Sequence, residues 1–130
     1  MGQEYLLDSN VIIGYLAGKI PASGMKTVSE IIDKVPNISV ISQIEVMRFN
    51  DTQENEAVLE KFINLSKIYP LSNNVVKHTI NLCKKSNIKL PDAIIAATAL
   101  IENFTLVTRN TTDFKKIPDL ILLDPWDIST

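Results

Sequence analysis

The chain has little of what would most quickly reveal its chemistry. A single cysteine in 130 residues excludes an internal disulfide. That residue, Cys83, ends the stretch "INLC" and reads as part of the apolar face of a helix, so a core position is expected for it rather than a nucleophile's. The one histidine, His78, sits among Val76, Lys77 and Thr79 and is expected to fill surface or core, not to bind a metal. Basic residues are not in excess: 13 Lys and Arg stand against 15 Asp and Glu, a net charge of −2. No broad nucleic-acid surface is advertised, so any phosphate binding must rest on a local site. The longest apolar run, around 93 to 101, is too short for a bilayer, which needs about 20 residues. "MGQEYLLDSN" has neither the basic start nor the apolar run of a signal peptide, and Leu6 stands where a myristoylation signal wants Ser or Thr. A cytoplasmic protein with no membrane partner is expected.

What is present is an ordinary globular composition, 45% hydrophobic with only 4 Gly and 6 Pro, which fits one domain over residues 1–130. "QEYLL" reads as a strand, and "DSNVIIGYLAG" as a helix that ends near Gly18. After a loop containing Pro21 and Gly24, "KTVSEIIDKV" has helical spacing and "PNISVIS" reads as a buried strand. "QIEVMRF" and "NEAVLEKFINL" follow as helices, then the short strand "SKIYPL". In "NNVVKHTINLCKKSN", Val75, Val76, Thr79, Ile80 and Cys83 share one helical face. From 91 to 103 the polar face disappears, which predicts a helix buried on most sides. "FTLVTRN" and "LILLD" supply the last two strands, and the tail "PWDIST" is expected to anchor through Trp126. Strands alternating with helices, several of them plain apolar runs, predict an α/β fold: a three-layer α/β/α sandwich around a parallel sheet of about five strands.

Four acidic residues each have an ordinary explanation. Asp8 suits a helix N-cap. "SQIE" is a capping box, with Ser42 as cap and Glu45 reaching back to its amide. Asp92 follows Pro91, which suits the first helical position, and an acid in the first turn is favoured by the helix dipole. Asp113 falls in a loop where Asn110, Thr111 and Thr112 provide local turn bonds. Their conjunction is less ordinary. In a doubly wound sheet the ends of strands and the starts of helices meet on one edge, where such folds place their sites, and all four acids belong to that edge. Carboxylates about 4 Å apart repel by about 4 kcal/mol at an effective dielectric near 20, so the group would raise its own pKa values or take a cation. Oxygen-only donors point to Mg²⁺ or Mn²⁺ rather than zinc.

At these residues the sequence resembles the PIN-domain ribonucleases, and in particular the stand-alone toxins of the VapC type. The resemblance runs in order through "LLDSNVIIGYL", "ISVISQIEV", "LPDAIIAATAL" and "LVTRNTTDF". It implies that Asp8, Glu45 and Asp92 bind metal with Asp113 as the fourth acid, and that Asn10, Ser42, Thr108 and Asn110 support them. Ser9 stands where many relatives have Thr. It further implies RNA as substrate, a small antitoxin that covers the acidic pocket, and a homodimer. In such a pocket the metal would lower the pKa of a water for in-line attack on a phosphodiester. Arg109 is the candidate contact to the RNA backbone, with Lys19, Lys115 and Lys116 as weaker ones. Residues 48 to 88 and the loop at 18 to 25 carry no readable family motif.

Four other readings compete, one of them a PIN-like scaffold that only binds a partner, against which stand all four retained acids. A haloacid-dehalogenase-type phosphatase needs a second acid two residues after Asp8, and position 10 is Asn. A receiver-like Mg²⁺-binding signalling module needs paired acids after the first strand and an Asp ending the third, where this chain has "YPLSNN". A PIN nuclease of RNA processing, with no toxin role, has the same site.

Overall fold

Apolar runs without polar alternation become the strands, as expected of a sheet covered on both faces. A computed structural model describes residues 3–49 and 52–128. In chain order the elements are β1 (Tyr5–Leu7), α1 (Ser9–Leu16), α2 (Ala22–Asp33), β2 (Asn37–Ser39), α3 (Val40–Met47), α4 (Gln53–Leu65), β3 (Lys67–Tyr69), α5 (Asn73–Lys85), α6 (Leu90–Glu102), β4 (Thr105–Val107), α7 (Thr111–Phe114) and β5 (Leu122–Leu123). The five strands form one sheet in the order β3-β2-β1-β4-β5, and every pairing is parallel. The expected three-layer α/β/α architecture is therefore the observed one.

Side chains alternate across the strands and separate two cores. Leu6 and Leu106 face a cluster with Val75 and Leu82 of α5, Ile95 of α6 and Phe114. Leu7, Ile38 and Val107 face the other, with Val11 and Ile12 of α1, Val28 of α2, Val46 of α3 and Phe62 of α4. The helix without a polar face, α6, is buried without interruption from Ala93 to Ala99, and it ends at Asn103 in the left-handed conformation, which Asn tolerates. Trp126 packs against the second core, as expected of the tail, whose residues 129 and 130 lie outside the described residues.

Several local expectations are corrected. The second strand stops at Ser39, and Ser39, not Ser42, caps α3 by accepting from the Ile41 amide at 3.1 Å. "VIS" is thus helical, and the capping box does not form. Gly24 lies inside α2 rather than in a loop; a methyl group there would collide with the Pro125 carbonyl oxygen, so its smallness serves a close approach of backbone. Helix α5 is rotated from its expected face. It buries Val75, Thr79 and Leu82, while Val76 and Ile80 are exposed. Cys83 is exposed with them and is not a core residue; the helix keeps the 75, 79, 82 row inward because that row meets α6 and the sheet. Asp113 sits in the single helical turn of α7 rather than in a loop. His78 is exposed, the surface place of the two expected for it.

Candidate active site

Reversal of strand order beside β1 creates the place where an open α/β sheet carries its site. β2 lies on one side of β1 and β4 on the other, so the chain leaving β1 and the chain leaving β4 diverge from a shared edge. Asp8 leaves β1, and its backbone amide still bonds to the Val107 carbonyl at 3.0 Å. Its carboxylate then caps α1 by accepting from the Ser9 amide at 2.8 Å. The sequence-based cap is correct, and it is not the whole role of the residue.

The other carboxylate oxygen, Oδ2, accepts from Thr108 Oγ1 at 2.8 Å and from Asn10 Nδ2 at 3.2 Å. Thr108 Oγ1 in turn accepts from the Asn110 amide at 3.0 Å, and Asn10 Oδ1 accepts from the Arg109 amide at 3.1 Å. The strand end after β4 is therefore stitched to the start of α1 through one aspartate. Asp8 is only 4% exposed, and burial pushes its pKa up to about 6. The bonds from Thr108 and Ser9 oppose that rise, while the charges of Glu45 and Asp92 add to it. Asn10, where a phosphatase would want an acid, serves as a donor to Asp8.

Glu45, three residues after Ser42 in α3, is half-buried and accepts from Ser9 Oγ at 3.0 Å. Asp92 is half-buried in the first turn of α6. Its pKa is also raised, chiefly by burial, then by the charges of Glu45 and Asp113, against a lowering by Lys89. Asp8, Glu45 and Asp92 thus share one electrostatic neighbourhood, and Asp113 joins it through Asp92. Among the described residues no three His, Cys, Asp or Glu side chains converge as a ready-made metal cage. The donor set, all oxygen and mutually repulsive, nevertheless fits a hard divalent cation, whose charge would reverse the upward shifts.

Ser42 is fully buried and its hydroxyl has no partner among the described residues. Arg109 is exposed, with its guanidinium 4.7 Å from the centroid of the Trp126 ring. Sequence reasoning treated Ser9 only as a minor change and missed its grip on Glu45; a hydroxyl next to the first acid was the available signal. It also missed Arg48, which lines the recess beside Ser9, Asn10 and Glu45, since nothing in its spacing marks it.

The PIN-domain family model matches residues 5–120. The chain belongs to the PIN-domain family. This PIN domain is 31% identical to Ribonuclease VapC2 of Rickettsia felis, over 95% of this chain and 98% of that one. Among solved structures it is similar to a toxin-antitoxin complex from Klebsiella pneumoniae, at 30% identity and a TM-score of 0.79, covering 96% of this chain and all of that one. It is also similar to VapBC2 from Rickettsia felis bound to a DNA fragment from its promoter, at 27% identity and a TM-score of 0.76, covering 93% and 98%. Among its described residues no helix of this PIN domain is long and apolar enough to cross a membrane.

Proposed function

We propose that this PIN domain is an endoribonuclease dependent on Mg²⁺ or Mn²⁺, and the toxin of a toxin–antitoxin pair. The observation that carries this reading is the buried Asp8 carboxylate, clamped by Thr108 and Asn10 with Glu45 and Asp92 near enough to raise its pKa. A structural N-cap needs neither the burial nor the second and third charges. Asp8, Glu45 and Asp92 are assigned as metal-holding acids and Asp113 as the fourth. When bound, the cation supplies charge for the scissile phosphate and a water acidic enough to attack it.

The chain's own groups do the positioning. Thr108 and Asn10 fix the Asp8 carboxylate so that Oδ1 serves the α1 amide and Oδ2 faces the hydroxyl and amide donors. Ser9 holds one Glu45 oxygen and leaves the other to the site. Asn110 and Ser42 are assigned supporting roles, Asn110 through its amide on Thr108. Arg109 is assigned to the RNA backbone: the Trp126 ring takes one face of its guanidinium, and stacking leaves the in-plane N–H donors open to a phosphate. The similar Klebsiella structure is of a toxin-antitoxin complex, which supports an antitoxin partner; that this partner is small and covers the acids, that the chain pairs as a homodimer and that it works in the cytoplasm belong to the same proposal.

The test is cleavage of a mixed pool of structured RNAs with Mg²⁺, with Mn²⁺ and with EDTA, beside Asp92→Asn checked for an unchanged fold. Metal-dependent cleavage that falls by at least about 100-fold in the variant is expected. Cleavage that persists in EDTA, or equally in the variant, would refute the assignment. Expression in a bacterial host should arrest growth, and co-expression of the neighbouring gene should relieve it; unaffected growth with folded protein refutes the toxin role.

A further inference from the structure

An open recess of about 450 Å³ adjoins the acids and is lined by Ser9, Asn10, Ile13, Glu45, Arg48 and Phe49. That volume lies in the range of roughly 300–1,000 Å³ usual for small-ligand sites. Glu45 and Arg48 are one turn apart on α3 and its cap, so they share a helix face. They form no ion pair. One Glu45 oxygen is held by Ser9, and among the described residues no hydrogen bond or ion pair commits the Arg48 guanidinium. Arg48 is exposed at the edge of the recess, and an uncommitted guanidinium has five N–H donors to offer an anion.

Beside it Phe49 is 46% exposed. It borders the recess and also a smaller apolar cavity with Ile13, Leu16 and Val58, so the side chain is partly covered and partly open to solvent. A ligand suited to this arrangement brings an anion for the guanidinium and a flat apolar face for the ring. Each nucleotide of RNA brings both. A base stacked in a duplex shows no free face, so the arrangement selects unpaired nucleotides.

We propose that Arg48 and Phe49 form a nucleotide subsite next to the scissile phosphate, with the phosphate on the guanidinium and the unpaired base on the phenyl ring. The subsite rests on the nuclease reading. It places substrate discrimination in the stretch from 48 onward, where the sequence carries no family motif, and it separates recognition from the acids that do the chemistry.

The test uses the full chain carrying Asp92→Asn, so that the probe survives, in Mg²⁺. Binding of a fluorescein-labelled mixed-sequence RNA of about ten nucleotides is followed by anisotropy, single-stranded and annealed to its complement. Arg48→Gln should weaken single-strand binding about tenfold and lower the salt slope by about 0.7. Phe49→Ala should weaken it about tenfold with the salt slope and the duplex affinity unchanged, and Phe49→Tyr should keep it. Arg48 is exposed and Phe49 half-exposed, so melting temperatures should hold. Binding by both variants equal to that of the background protein overturns the subsite alone. A background protein that binds neither RNA overturns the nuclease reading and the subsite together. If Phe49→Ala leaves RNA binding intact but abolishes binding of the neighbouring gene's product, the recess seats a protein and the subsite is overturned.

Discussion

Raising the pH of the metal-free protein from about 4 to about 7 is expected to weaken it through Asp8, opposite to the usual effect of a salt-bridged carboxylate. The Asp8 carboxyl titrates at about 6 in the fold against an ordinary 3.8, chiefly because burial strips its hydration. Below about 4 the group is neutral in folded and unfolded chains alike, and burial of the charge costs nothing. Between the two values the folded chain keeps a proton that the unfolded chain has lost, so each rise in pH favours unfolding. Above about 6 both are ionised and the full cost is present. At 1.36 kcal/mol per pH unit that cost is about 3 kcal/mol, or on the order of 10 °C in Tm for a domain of this size. Asp92, also raised, acts in the same direction.

The assay is urea unfolding in EDTA across this range, for the parent and for Asp8→Asn. Asparagine keeps the shape and cannot ionise. Its amide group faces the donors Thr108 and Asn10 imperfectly, which shifts the whole curve without giving it a slope. The parent-minus-variant difference should therefore fall by about 3 kcal/mol as pH rises. Mg²⁺ at 100 times its Kd should return about 2.7 kcal/mol near neutral pH and almost nothing near pH 4, where protons hold the site. A difference that is flat, or that rises with pH, would refute the account of Asp8 as a buried, charge-crowded acid.

Thr108→Val removes the 2.8 Å donor to Asp8 and should cost about 1–3 kcal/mol near neutral pH while moving the Asp8 titration further up; an unchanged pH profile in the same urea assay would count against it. Ser9→Ala frees Glu45 and should slow cleavage of the RNA pool up to about tenfold at constant Tm, with Ser9→Thr close to the parent. Equal rates for Ser9→Ala and the parent would remove Ser9 from the site. Gly24→Ala forces a methyl group against the Pro125 carbonyl and should lower stability by about 1–3 kcal/mol, read by thermal melting; an unaltered Tm would mean that the tail yields freely.

The fold class and the edge that gathers the acids were legible because they follow from strand–helix alternation and from where each acid stands in it. Asp8 as a cap was equally legible, since the cap depends on its own neighbours. Ser42 shows the limit. Ser39 and Ser42 both precede helical spacing, and β2 ends at the earlier one because only three residues pair with the neighbouring strands. The face of α5 was misjudged because Val75, Val76, Thr79 and Ile80 offer two adjacent apolar rows, and which row turns inward is decided by α6, far along the chain. Cys83 followed the wrong row. Gly24 looked like a loop residue because its real constraint, the Pro125 carbonyl, lies about a hundred positions away. Ser9 and Arg48 share that limit: Ser9 meets Glu45 on another helix, and Arg48 meets Ser9 and Asn10 only across the recess.

The pairing of β1 with β4 also has a consequence in time. β1 leaves the ribosome before β4, and the strand beside it and the Thr108 hydroxyl that clamps Asp8 are made 100 residues later. A nascent chain short of that point carries the aspartate without its clamp, and β1 with one edge unpaired. The clamp on Asp8 therefore waits for β4 and Thr108, and a chain cut before them lacks it. The order of strands in the sheet acts as a safety catch on the site, released once β4 has been made and paired.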